Sequence, residues 1–404
     1  MSCLSEEYKF IIDAVKSAIT NTPIDKNYEN VNYRKVCSIA LSHCISSLLS
    51  RALKLSSISV DEDILKKISA SDKIMLMSSL ARKNARENIT KIFKENDVDF
   101  VLLKGANLQN LYPEKYWRYS CDIDVLVKEK DYEKSYKIFK NAGYDFDSRN
   151  DKHYVFTKKP YICVEIHKKL CSENNFFENV WQNTIEKDGS LVLKKEFELA
   201  YLVYHIAENF SKNAGIGIHS VTDIYLYIKN YKNEIDEKVL YDYLEKNGIL
   251  KFYQSLKTLG EIWFENKESS EFYDRLTDFI ISGNRNGNAS NAASIRMNNN
   301  KPLFFEKILF MFSKIFLPYK DLKKIYPALE KVPFLLPVFW LIRIAGIVFR
   351  REHRSFQRAN DIFKNTNKKS IENTKEIFKE LDLYNKKIIT VRKKHYENAQ
   401  KEKP

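Results

Sequence analysis

"YSCDIDVLV" occupies Tyr119 to Val127. Two aspartates, Asp122 and Asp124, stand one residue apart inside an apolar run. A β-strand alternates faces, so residues two apart point the same way. The spacing predicts a buried strand with two carboxylates on one face. Like charges side by side are costly unless something positive sits between them. The stretch therefore asks for a sheet around it and a cation beside it.

The flanks supply the sheet. Upstream, "VDFVLLK" (Val98 to Lys104) is a short apolar run that reads as a strand, with Gly105 opening a short helix. Downstream, "KDYEKSYKIFKNAGY" is an amphipathic helix with Tyr132, Tyr136 and Phe139 on one face and Gly143 as its stop. "HYVFTKK" and "YICVEIHKKL" read as two further strands with Lys159 and Pro160 at the turn. This order predicts an α+β or α/β core, a small mixed sheet at residues 96–195 with helices packed on it.

The rest of the chain reads as helix. Residues 1–95 form an N-terminal helical region, closed by a helix with Ala85, Ile89, Ile92 and Phe93 at helical spacing. Residues 196–281 form a second helical domain. Residues 282–300, "SGNRNGNASNAASIRMNNN", read as a flexible linker. Residues 301–404 form a C-terminal helical region with a basic tail, whose part from Arg350 carries a surplus of about eight positive charges and shows no clear core face.

Composition bounds the class. The 404 residues include 44% hydrophobic and 30% charged side chains, as in an ordinary globular protein. The six cysteines form no CxxC pair, which argues against structural zinc and a disulfide scaffold and fits a reducing, cytoplasmic setting. The opening "MSCLSEEYKFIIDAV" has early acids and no apolar leader segment. The net charge of +14 suits RNA, DNA or an anionic membrane surface, although a Lys- and Asn-rich coding bias produces the same balance.

The strand carrying "CVEIH" brings Glu165. Pairing beside the DxD strand puts it level with Asp122 and Asp124. Three converging carboxylates suit hard divalent cations, Mg²⁺ above all. Two such ions can clamp the attacking and leaving oxygens of a phosphoryl or nucleotidyl transfer. A DxD pair at a turn or a solvent-facing strand end is the bland alternative. Lys104 and Gly105, at a strand end before a helix, offer a phosphate cradle, and Arg118 lies four residues before Asp122.

Together these elements carry a resemblance. LLKG (Leu102 to Gly105), Arg118, DID (Asp122 to Asp124) and VEIH (Val164 to His167) resemble the uncharacterised bacterial nucleotidyltransferase family of the DNA polymerase β-like superfamily. "GIGIHSVTDIYLYI" (Gly215 to Ile228) is similar to a family segment of the form GIGLR-x-x-x-D. "YPALEKVPFLLPVFWLIR" (Tyr326 to Arg343) looks like the family's proline- and tryptophan-containing C-terminal region. The likeness runs from about residue 30 to 350. The chain departs from it at His219, where the family usually has arginine. Like this family, it has Lys104-Gly105 where the wider superfamily usually has Gly-Ser.

The resemblance implies a polymerase β-like core and transfer of a nucleoside monophosphate from an NTP to a hydroxyl acceptor, releasing pyrophosphate. Asp122, Asp124 and Glu165 are then the catalytic metal ligands, holding two Mg²⁺. Glu165 also accepts the acceptor's proton, and Lys104, Gly105, Arg118 and His167 line the nucleotide. The acceptor is a sugar, a small metabolite, a protein or RNA. A toxin-like enzyme acting on tRNA is a second reading. A non-catalytic basic protein on RNA or an anionic membrane is a third.

Other residues have plainer readings. Asp223 reads as a helix cap or packing residue, His205 as core, and Cys121 and Cys163 as small buried hydrophobes. Val332 to Phe349 is at the short edge of a membrane span, and Pro333, Pro337 and Arg343 argue against one. It reads as a buried helical hairpin, with peripheral contact at the inner membrane face through the basic C-terminal region as the alternative.

Overall fold

The computed structural model describes residues 4–149, 152–171, 174–296, 303–348 and 366–383. Four helices lead the chain: α1 (Glu6–Thr20), α2 (Tyr33–Ser42), α3 (Ser46–Leu55) and α4 (Glu62–Glu95). In α1, Phe10, Ile11, Ala14, Val15 and Ala18 recur at helical spacing and are all buried. Glu6 and Glu7 in its first turn complement the helix dipole, and Asn21 ends it in the left-handed region. The 34 residues of α4 make a rod about 50 Å long. Its buried stripe ends in Arg82, Ala85, Ile89 and Phe93.

The sheet has seven strands: β1 (Phe100–Leu102), β2 (Ile123–Val127), β3 (Asp145–Arg149), β4 (His153–Lys158), β5 (Ile162–His167), β6 (Thr184–Lys187) and β7 (Ser190–Leu193). Their spatial order is β3-β4-β5-β2-β1-β7-β6. The pairs β2–β5 and β1–β7 are parallel and the rest antiparallel, so the sheet is mixed. All five residues of β2 are buried, as a central strand requires. Ile123, Val125 and Val127 pack with Val164, Ile166, Phe93 and Phe139, the last on the helix α6 (Tyr132–Asn141), which follows the one-turn α5 (Gly105–Leu108) in the chain. Leu126 packs on the opposite side, in the cluster that holds α7 (Lys195–Asn213) and α8 (Ile218–Tyr231). The strand's alternation therefore turns Asp124 away from the α4–α6 layer and toward the helical one.

Two strand limits differ from those the apolar runs suggest. The first strand covers only Phe100–Leu102: Leu103 N–H still donates across to Asp124 O at 3.0 Å, and Lys104, at φ 44°, then leaves the extended backbone. The second starts at Ile123, so Asp122 stands just ahead of the pleat. The β4–β5 hairpin forms as expected. Strands β3, β6 and β7 were not foreseen, since DFDSR, TIEK and SLVL carry no strong alternation of their own.

Four helices follow α8: α9 (Glu237–Lys246), α10 (Leu250–Glu265), α11 (Glu271–Ile281) and α12 (Ala289–Arg296). The last lies inside the stretch that reads as a linker. Just before it, Arg285 N–H donates to Ser42 O at 3.0 Å and Asn288 N–H to Asn213 O at 3.1 Å. Gly287 has φ 100°, and a Cβ there would sit 2.7 Å from Asn213 O. That contact holds the loop tight where composition alone suggests slack. Residues 297–300 of the supposed linker lie outside the described residues.

His43 ties three segments together. Its Nε2–H donates to Ile281 O at 3.2 Å, while Nδ1 accepts the Ile218 N–H at the start of α8, also at 3.2 Å. Accepting at Nδ1 needs the neutral ring, since both nitrogens of the protonated imidazole are donors. Burial pushes its pKa down to about 4 from an ordinary 6.5, against the Ile281 and Gly283 carbonyls. Between those values the unfolded chain binds the extra proton, so stability should fall by about 3 kcal/mol as pH drops from 6.5 to 4. Urea unfolding across that window should show the step in the wild type and lose it in His43→Gln; a retained step would refute the assignment.

The C-terminal region departs from expectation in two ways. Helices α13 (Leu303–Ile315), α14 (Tyr319–Ile325) and α15 (Leu336–Val348) include a contact pair, with Trp340 Nε1 donating to Leu317 O at 2.8 Å. The hairpin is not buried, however: Phe304, Phe312, Phe334 and Leu341 are all more than half exposed. Among the described residues no helix is long and apolar enough to cross a membrane. Helix α16 (Lys368–Glu380) does have a core face, through Ile371, Ile377 and Phe378, and Phe378 packs on Phe210 at 5.2 Å. The rest of the basic tail, 349–365 and 384–404, lies outside the described residues.

Candidate active site

The parallel pairing of β2 with β5 sets Asp124 beside Glu165 and Leu126 beside His167. The antiparallel β4–β5 hairpin sets His153 opposite His167. Asp124, Glu165, His153 and His167 thereby share one face of the sheet. Level placement of Glu165 with the DxD stretch is thus present in the backbone register.

The turn after β1 brings Lys104. Its backbone adopts φ 44° and ψ −111°, a region that side chains other than glycine occupy at a cost of order 1–3 kcal/mol. That conformation turns its ammonium onto the sheet, where Nζ lies 3.1 Å from Asp124 Oδ1. Gly105 must follow. A Cβ there would meet Ser120 Oγ at 2.7 Å and Arg118 Nη1 at 3.0 Å.

Asp124 is buried, and His167 Nε2 lies 2.9 Å from the same Oδ1. Burial alone would raise its pKa, but Lys104 and His167 hold it well below the usual carboxylate range. The ammonium of Lys104 is correspondingly raised, Asp124 outweighing burial. The positive partner that the sequence demands is therefore supplied for Asp124 by the protein itself. Among the described contacts both partners fall on Oδ1 and none on Oδ2.

Asp122 is differently placed. It precedes the strand, is partly exposed, and accepts from Ser120 Oγ at 3.1 Å and Cys121 Sγ at 3.5 Å. The two aspartates thus do not form one symmetrical pair on one strand face. Glu165 is about one quarter exposed, with Oε2 3.3 Å from His167 Nε2 and 3.5 Å from His153 Nδ1. Its pKa lies below the ordinary glutamate value; burial opposes this and the His167 contact drives it. His167 itself is raised, its two carboxylate contacts outweighing burial.

Arg118 is committed elsewhere. Nη2 lies 2.9 Å from Asp223 Oδ2 and Nε 3.3 Å from it, while Tyr112 Oη donates to Asp223 Oδ1 at 2.8 Å. Asp223 sits buried within α8 and is no helix cap. A buried guanidinium with a strong carboxylate partner on one edge presents only its remaining edge, Nη1, toward Gly105. His219 is pushed well below its ordinary pKa by burial and then by Arg118 and Arg285.

Several further residues gather at the site. His205 on α7 lies within the field of Lys104 and Asp124, and burial followed by Lys104 pushes its pKa far down. It is only half-buried and accepts from Asn209 Nδ2 at 3.0 Å, so it is no simple core residue. Tyr201, one turn earlier, lies under Lys104 Nζ at 5.8 Å. Their i, i+4 spacing was the available signal. His153 had none without the strand register. Two guanidinium groups lie against the Tyr119 ring, Arg285 Cζ at 4.8 Å and Arg82 Cζ at 5.4 Å from its centroid. Arg82 is buried, and Arg86 one turn on is pushed down to about 10 by burial and then Arg82. Arg285 Nη2 reaches Cys121 Sγ at 3.7 Å. Cys121 is exposed and Cys163 half-buried, so neither is the small core hydrophobe expected.

This arrangement can hold cations on oxygen and nitrogen donors and anions on guanidinium groups, side by side. The family model described as an uncharacterised nucleotidyltransferase matches residues 29–265, from just before α2 to the end of α10. Comparison with curated proteins and with solved structures gives no match.

Proposed function

Since the chain belongs to this uncharacterised nucleotidyltransferase family, we propose that it moves a nucleoside monophosphate from an NTP to a hydroxyl acceptor with release of pyrophosphate. The carrying observation is the register that sets Asp124 beside Glu165, with Asp122 at the solvent side of the same strand end. Asp122, Asp124 through Oδ2, and Glu165 fit hard divalent cations, Mg²⁺ in the first instance, and are the residues that would hold two of them. Bound there, such ions would offset charge on the α-phosphate and the leaving pyrophosphate.

The chain's own groups do the rest. The acceptor oxygen forms a bond to the α-phosphorus as the bond from phosphorus to the bridging oxygen breaks. The acceptor's proton passes to Glu165, whose lowered pKa keeps it ionised before the step. Lys104, Arg82 and Arg285 support the reading as cations near Asp122 and Asp124 that suit phosphate oxygens. Arg118 acts mainly by positioning, because Asp223 takes two of its nitrogens. His167 orients Glu165 and Asp124 by touching both. The net charge of +14 favours a tRNA or other RNA acceptor as the second reading. The exposed aromatic side chains of α13 and of the segment before α15 favour peripheral contact with a membrane surface.

The test is incubation with each labelled NTP, a divalent cation and cell extract split into soluble and membrane fractions. Label should enter RNA, protein or a small molecule with wild type and not with Asp122→Ala. The protein should sediment with the membrane fraction. No transfer from any NTP would leave a non-catalytic binding protein as the better reading.

A further inference from the structure

We propose that His153, Glu165 and His167 form a site for a borderline divalent cation of the Co²⁺, Ni²⁺ or Zn²⁺ class, which takes the place of Mg²⁺ at the Glu165 end of the three-carboxylate set. This deepens the transfer reading by naming one of its cations, and it rests on that reading only for the ion's use.

The three donors come from a rigid source. His153 and His167 are cross-strand partners in the β4–β5 hairpin, and Glu165 lies two residues before His167 on the same face. The imidazole centroids are 4.7 Å apart. Glu165 Oε2 lies 3.5 Å from His153 Nδ1 and 3.3 Å from His167 Nε2, and all three donor atoms fall within 4.8 Å of one another. Ligand bonds of about 2.1 Å in tetrahedral geometry separate neighbouring donors by about 3.4 Å. Two of the three spacings already match. The sheet therefore presents these donors near bonding distance without rebuilding a strand.

Donor chemistry selects the ion. Mg²⁺ takes six oxygens in near-ideal octahedral geometry and keeps several waters, so two imidazoles serve it poorly. Imidazole suits first-row transition ions, and a site of two histidines and one carboxylate leaves positions open for water or substrate oxygen. Asp124, whose Oδ1 lies 2.9 Å from His167 Nε2, adds a second carboxylate on the inner wall. Glu165 is about one quarter exposed, which gives an ion a way in from solvent.

The experiment is calorimetric titration of the full chain, stripped with chelator and without NTP, using Zn²⁺, Ni²⁺ and Mg²⁺ separately. The visible absorption spectrum of added Co²⁺ is the second readout. At least one of Zn²⁺ and Ni²⁺ should bind at one equivalent and at least a hundredfold more tightly than Mg²⁺. His153→Gln should weaken that binding at least tenfold and lower the Co²⁺ absorption, with the melting temperature of the metal-free protein preserved within a few degrees. Should His153→Gln fail to fold, Glu165→Gln provides the same test. Equal affinity for Mg²⁺, or affinity unchanged by these substitutions, overturns the proposal even if nucleotidyl transfer is found. Tight binding with no transfer in any extract upholds this site and defeats the functional reading instead.

Discussion

Asp124→Ala should destabilise the fold by about 3–5 kcal/mol, while Asp122→Ala should leave stability within about 1 kcal/mol. Both should abolish nucleotidyl transfer. The two residues are equivalent in a DxD string, but their surroundings are not. Asp124 is buried with Lys104 Nζ at 3.1 Å and His167 Nε2 at 2.9 Å on one oxygen. Removing it leaves an ammonium in the interior without its counter-charge, and breaking a buried pair from one side is far costlier than the pair's net worth. Its pKa lies well below the ordinary carboxylate range, so this stabilisation is in place above that range and is lost progressively as pH falls through it toward the folded carboxylate's own pKa. Asp122 is partly exposed and held by Ser120 and Cys121, so water replaces what its removal takes away. Urea unfolding of both variants decides the matter. Equal losses would mean that Lys104 and His167 do not depend on Asp124 for their charge balance.

Asp223→Ala is the second large effect, again about 3–5 kcal/mol of lost stability. The carboxylate sits inside α8 and meets Arg118 at 2.9 Å and Tyr112 Oη at 2.8 Å. Burial opposes the charge on Arg118, and Asp223 reverses that effect. Without Asp223 a buried guanidinium and a buried hydroxyl lose their acceptor together. Replacing both ends with apolar residues, as in Arg118→Met with Asp223→Leu, should recover most of the loss, because no charge is then left inside. Denaturant unfolding of the single and double variants measures the coupling. If Asp223→Ala costs under about 1 kcal/mol, α8 is not held to the segment before β2 by this pair.

The fold's local parts were legible because their causes are local. Ala85, Ile89 and Phe93 repeat at helical spacing, and all three are buried against the sheet. The hairpin of β4 and β5 followed from apolar alternation with Lys159 and Pro160 between them. LLKG, DID and VEIH, taken together, pointed to the family whose model matches the chain. Buried hairpin and flexible linker were the weaker inferences, since composition measures how apolar or polar a segment is and not what covers it. Phe304 and Phe334 are exposed although apolar, and Arg285 is bonded to Ser42 although its stretch is polar.

By itself the sequence determined strands β1, β2, β4 and β5, the helices that lead the chain and flank the sheet, and the close succession of Arg118, Asp122 and Asp124. Those properties depend on residues within a few positions of each other, where backbone geometry alone sets the period. Only the tertiary structure decided which aspartate is buried, that His153 joins Glu165, and that Arg118 faces Asp223. Each depends on strand register or on helix packing between distant segments, and Arg118 and Asp223 are 105 positions apart. A charge's partner is chosen by where the folded chain removes water, and no local spacing encodes that.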